Sequence, residues 1–181
     1  MKKFLFLLTM LVALSKTSNA VSFYSGISLG ESKAKFDNIN LDNKRAFTFS
    51  LGSSFSIPLF PIRVESEYLK YNSKKEIYDI HTYGYGLNTY VNLPLLPILV
   101  PYIGLGLSYL KEKISNNDTD IVKKSDWKIV PQYIIGLDLD LPTVIFAGSM
   151  EYRYINTNFE FNNEKKDSKY HVFLFKTRLK F

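Results

Sequence analysis

Short proline-marked turns alternate with long polar stretches down this 181-residue chain, and that rhythm restricts its fold more than any motif does. Prolines gather at Pro58/Pro61, Pro94/Pro97/Pro101 and Pro142. Around them lie four stretches rich in Lys, Asn, Asp and Ser, roughly 31–45, 72–79, 111–126 and 155–169. Three turns and four polar stretches make seven connections, and seven connections join eight strands. Because the two kinds strictly alternate, the turns fall at one end and the polar stretches at the other. This predicts an all-β fold, an eight-stranded antiparallel up-and-down β-barrel.

Period-2 alternation places the strands near 22–31, 45–57, 62–71, 80–93, 101–111, 127–141, 143–155 and 170–181. One face of these strands carries more than thirty bulky residues, such as Phe47, Phe49, Leu51 and Phe55 on the second and Ile103, Leu105, Leu107 and Tyr109 on the fifth. The other face holds eight of the nine glycines and nearly all the charges within strands. Volume decides which face is inside. Eight strands enclose a bore just wide enough for side chains to fill, so thirty bulky residues cannot share it. Turned outward, the same residues meet lipid hydrocarbon, and the glycine, serine and charged face fits a narrow lumen. The barrel is therefore expected to be transmembrane. Tyr68, Tyr83, Tyr109, Trp127 and Tyr154 fall beside the polar stretches, where an interfacial aromatic girdle belongs. Pro131 fits badly inside the sixth strand, and a bulge or a later strand start is expected there.

The first 20 residues read as a cleaved secretory signal peptide. Lys2 and Lys3 precede an apolar run from Phe4 to Leu14, and Ser18-Asn19-Ala20 offers small residues for cleavage after Ala20. The run is too short to span a bilayer as a helix. Residues 21–181 then form one barrel domain. Removing the signal's three lysines leaves 20 basic against 17 acidic residues, too even a balance to argue for a nucleic acid partner. There is no cysteine, so neither a disulfide framework nor a thiolate metal site is available. No metal and no cofactor are expected.

The inward phase collects Arg63, Glu65 and Glu67, then Asp138 and Asp140, Glu151 and Arg153, and finally Lys176, Arg178 and Lys180. Unpaired charges in a narrow lumen are costly, so five acids and five bases predict a structural ion-pair network, with an ion path or proton relay as the alternative. His81 and His171 are the only histidines. Ser168, His171 and Glu151 allow a hydrolytic triad to be sketched, but a lone interfacial histidine is the simpler reading.

Phe23-Tyr-Ser-Gly-Ile-Ser-Leu-Gly30, Arg63-Val-Glu-Ser-Glu-Tyr68, Pro101-Tyr-Ile-Gly-Leu-Gly106 and Glu151-Tyr-Arg-Tyr154 stand as first, third, fifth and seventh strands. These segments resemble the small eight-stranded outer-membrane barrels of the OmpA-domain, OmpX and opacity-protein kind. The terminal Phe181, in phase with Phe173, Phe175 and Leu179, resembles the C-terminal signal that the barrel-assembly machinery recognises in such proteins. The resemblance implies a bacterial outer-membrane location and a non-enzymatic structural role as surface antigen or adhesin. Four external loops would then be available to a host or surface ligand, with outer-membrane lipid around the wall. A lipid A-modifying enzyme or a narrow channel is the alternative. In departure from the full OmpA pattern, no peptidoglycan-binding domain is expected after the barrel, so the resemblance does not imply cell-wall anchoring.

Overall fold

The computed structural model describes residues 21–36, 39–42, 44–56, 61–75, 78–93, 98–116, 122–140, 145–161 and 164–181. Eight long strands form the wall: β1 (Val21–Phe36), β3 (Lys44–Phe55), β4 (Ile62–Lys75), β5 (Tyr78–Asn92), β6 (Leu99–Asn116), β8 (Lys128–Asp140), β9 (Phe146–Phe161) and β10 (Glu164–Lys180). Two short strands, β2 (Ile39–Asn40) and β7 (Val122–Lys124), pair back onto β1 and β6 at the end where the polar stretches lie. Each wall strand pairs antiparallel with its neighbour in the chain, and β1 closes on β10 from Tyr24↔Lys180 to Phe36↔Ser168. Backbone bonds between Phe23 and Phe181, at 3.0 and 3.3 Å, finish that seam. Through the closed part of the wall every strand is paired on both sides, while beyond Gln132↔Ile155 β9 runs on paired with β10 alone.

The register fixes the barrel's dimensions. Followed around the wall, Tyr24 leads through Gly52, Glu65, Asn88, Gly106, Gln132, Ile155 and Tyr170 back to β1 at Ala34, ten residues further on. With ordinary strand rise and spacing, that stagger over eight strands gives a tilt of about 41° and a radius of about 8 Å. A strand tilted so far crosses a hydrocarbon band of about 25 Å in roughly ten residues. β4, β5, β6, β9 and β10 run 14 to 18 residues, so the wall stands well beyond that band.

The excess length corrects the expectation of long loops. Residues 72–75, 111–116, 155–161 and 164–169 are strand, and only 76–77 and 162–163 separate β4 from β5 and β9 from β10. Outward residues at this height, such as Asn72, Lys113 and Asn156, are polar because they stand in water, which made the segments read as loops. The inward residues keep alternating, and Tyr71, Ser73, Ile80, Glu112, Phe159, Ser168 and Tyr170 are all buried.

Bulky and small faces are oriented as the volume argument requires. Leu29, Leu105, Ile129 and Phe175 are about two-thirds exposed, and Tyr85, Tyr133, Ile135, Met150 and Phe173 more than half. Such a continuous apolar surface is stable against hydrocarbon and not against water. Pro131 is accommodated differently from expectation. β8 passes through it with unbroken register to β6, Leu107 opposite Pro131, and the ladder to β9 begins only at Gln132. On that side Pro131 has no ladder bond to lose. The proline turns at 57–60, 94–97 and 141–144 lie outside the described residues, as do residues 1–20.

Candidate functional site

The lumen is filled in two storeys. At the turn end, tyrosines lie across glycines on the neighbouring strand: Tyr24 faces Gly52, Tyr90 faces Gly104 and Tyr102 faces Gly136 in direct register. A Cβ at Gly52 would stand 2.4 Å from the Tyr24 ring, and one at Gly136 would stand 2.3 Å from that of Tyr102. Only glycine lets these rings lie flat against the wall of so narrow a bore.

The rings complete a charged network. Arg63 and Arg178 both reach Asp138, at 3.2 and 2.8 Å, and Ser149 donates to the same carboxylate at 2.7 Å. Lys176 pairs with Glu65, which also accepts from Tyr24 (3.0 Å) and Tyr90 (3.3 Å). Arg153 spans Glu67 and Glu151; Asn88 and Gln132 donate to Glu67 at 2.8 and 3.1 Å, and Tyr102 to Glu151 at 2.9 Å. The Arg63 guanidinium lies 4.8 and 4.6 Å from the Tyr90 and Tyr102 ring centres. Four acids and four bases, all buried, thus neutralise one another. Lys180 is only half-buried, at the turn-end rim, and the Asp140 side chain lies outside the described residues.

Nothing in the charge pattern announced the second storey. Toward the other end, inward residues from all eight wall strands form one apolar cluster: Ala34, Ala46, Leu69, Tyr71, Ile80, Leu110, Val130, Ile155, Phe159, Tyr170, Val172 and Leu174, with Leu41 folded in beside them. The signal was present in the inward phase of segments read as loops. Within this storey Glu112 is fully buried. No cation stands against it among the described residues, and neither carboxylate oxygen makes a hydrogen bond; Ser168 is its polar neighbour.

The sketched triad does not assemble. Ser168 and Glu151 point into the lumen, whereas His171 belongs to the outward phase of β10 and bonds the Tyr152 hydroxyl at 2.7 Å. His81 likewise faces outward, bonded to Asn72 at 2.8 Å. Among the described residues no three His, Cys, Asp or Glu side chains gather to hold a metal.

On the outer wall, where the apolar band meets the polar one, Trp127 stacks on Tyr109 (4.8 Å) and meets Tyr83 edge-on (5.8 Å), while Tyr68 meets Tyr85 at 5.7 Å. Tyr152, Tyr154, His171 and Phe173 continue the belt on β9 and β10. Phe173, Phe175, Leu179 and Phe181 all face outward along the last strand, Phe181 being 72% exposed.

A closed eight-stranded wall, apolar outside, filled within by a network of paired charges and ringed by aromatics, defines a small integral outer-membrane β-barrel. Comparison with known families agrees: residues 4–181 match the outer membrane protein beta-barrel domain model, and the chain belongs to that family, which places it in the bacterial outer membrane. Among solved structures it is similar to Neisserial surface protein A, with 19% identity, a TM-score of 0.70 and coverage of 90% of this chain and 100% of that one. It is also similar to Ail, the attachment invasion locus protein of Yersinia pestis, with 17% identity, a TM-score of 0.60 and coverage of 91% and 100%. A third similar structure, OprG from Pseudomonas aeruginosa, has 14% identity, a TM-score of 0.54 and coverage of 90% and 96%. At these identities the likeness speaks for the fold. No curated protein matches the sequence.

Proposed function

We propose that the protein is a closed, surface-exposed barrel that works through its loop end, as a surface antigen or adhesin, and conducts nothing. The carrying observation is the double filling of the lumen. An ion would have to pass the apolar storey, where Leu69, Leu110, Ile155 and Val172 are wholly buried, and then a lattice of paired charges. The eight-membered charge network is read as structural, since every carboxylate in it has both a cation and a neutral donor.

In this reading the loop end faces the exterior and the turns with both termini face the periplasm. The uninterrupted start of β1 at Val21 suits removal of residues 1–20, and the outward Phe173, Phe175, Leu179 and Phe181 suit recognition by the barrel-assembly machinery. Ail is described as an attachment invasion protein and has been crystallised with a heparin analogue, sucrose octasulfate. Attachment through a loop end with exposed or half-exposed Lys33, Lys113, Lys124 and Lys169 is the corresponding role here.

The test joins two measurements. An impermeant amine reagent applied to intact cells should label loop-end lysines and spare Lys180, and planar bilayers containing the refolded protein should show no stable conductance. Labelling of Lys180 alone would reverse the orientation, and a reproducible open level would replace the closed barrel with a channel.

A further inference from the structure

Just above the apolar band, on the outer wall over β3 and β4, lies an open groove of about 580 Å³. Its floor is the backbone of the wall at Gly30 and Ala46, which belong to the inward phase and put no side chain on the outer surface. Below stand Leu29 and Phe47, exposed to the lipid side; above stand Arg45 and Lys70, both exposed. Phe47 is the register partner of Leu29 on one side and of Lys70 on the other, so apolar and cationic groups adjoin in a single row. Arg45 follows two residues along β3 on the same face, which puts it diagonally across from Lys70, at about 7–8 Å. Both long side chains can converge on one phosphate from there.

Charge points to an anion. Glu31 faces Arg45 in register, and Lys33 follows it on the same face of β1, so three cations meet one carboxylate. A second groove, about 360 Å³ beside Lys128 and Lys169, differs in kind. Asp167 lines it, Lys128 is already bonded to the carbonyl and amide oxygens of Asn158, and its walls are largely polar.

We propose that the Arg45–Lys70 groove binds the phosphate-bearing headgroup of an anionic membrane lipid, whose first acyl carbons run down over Leu29 and Phe47. The height of the groove suits a headgroup. Lys70 is cross-strand partner of Tyr83, whose ring contacts Trp127 in the interfacial belt. A soluble phosphate would gain nothing from the apolar lower wall.

The test uses the full refolded protein in micelles of phosphatidylglycerol and phosphatidylcholine with matched chains, followed by gel filtration and analysis of the retained lipid. The ratio of phosphatidylglycerol to phosphatidylcholine retained at the protein should exceed that of the mixture at least about fivefold, and up to about twenty-five-fold if both cations act fully. The Arg45→Gln/Lys70→Gln variant should lose the enrichment, and Lys128→Gln/Lys169→Gln, with the same charge change, should keep it. Raising the salt to 0.5 M should collapse the enrichment in the unmodified protein, a result independent of how any variant folds. Inorganic phosphate at 10 mM should displace nothing. Equal retention of the two lipids, equal loss in both double variants, insensitivity to salt, or displacement by inorganic phosphate would each overturn the assignment.

Discussion

Arg153→Met is the substitution that the lumen should resist most. The guanidinium is fully buried and holds Glu67 through Nη1 and Glu151 through Nε, with the Tyr71 hydroxyl at 3.5 Å. Its removal strands two buried carboxylates at once. Breaking a buried pair by deleting one partner destabilises by about 3–5 kcal/mol. Each carboxylate keeps neutral donors, Asn88 and Gln132 on Glu67 and Tyr102 on Glu151, and such bonds are worth about 1 kcal/mol apiece. The expected net loss is therefore about 3–4 kcal/mol. Replacing all three charges, as Glu67→Gln/Arg153→Met/Glu151→Gln, leaves no unpaired ion, and should recover to within roughly 1–2 kcal/mol of the parent. Urea unfolding in lipid vesicles, followed through Trp127, the chain's single tryptophan, reads both values. An Arg153→Met barrel within about 1 kcal/mol of the parent would refute the network's structural role. A triple variant no more stable than the single one would refute the charge-stranding argument.

Three further outcomes follow from the same geometry. Glu112→Gln removes a buried carboxyl that has no partner cation among the described residues and should raise the unfolding free energy by about 1–3 kcal/mol in the same assay, whereas a decrease would mean that the carboxyl has a partner there. Gly136→Val places a branched side chain against the Tyr102 ring and the Met150 carbonyl, and should abolish the heat-modifiable folded band on unboiled gels; a normal band would show that the ring can move away. Deleting Phe181 removes both backbone bonds to Phe23 along with the terminal aromatic, and should lower the amount assembled in the outer membrane several-fold in cells, with unchanged levels counting against the assembly signal.

The wall was legible because period 2 is strict wherever one face meets lipid: Ile103, Leu105, Leu107 and Tyr109 announce β6 without help from structure. Above the band that contrast fades. Lys111 and Lys113 look like loop residues, and only the inward Glu112 and Ile114 reveal that β6 continues. The charged members of the lumen could be read one at a time from their phase. Their neutral partners Tyr24, Tyr90, Tyr102, Asn88 and Gln132 could not, because a tyrosine on a strand reads equally well as girdle or lumen until its cross-strand glycine is known. Pro131 misled for a related reason: whether a proline breaks a ladder depends on where the neighbouring strand begins to pair, and the β8–β9 ladder begins at Gln132.

The central claim is that the bulky face meets lipid and the charged face fills the lumen. Trp127 tests it most directly, since it stands on the outer wall in the belt between the apolar and polar bands, 37% exposed. In vesicles of lipids brominated at defined depths, its fluorescence should be quenched strongly by bromines near the carbonyls, more weakly by bromines near the bilayer centre, and little by aqueous iodide. Strong iodide quenching with no response to brominated lipid at any depth would turn the barrel inside out and contradict the account.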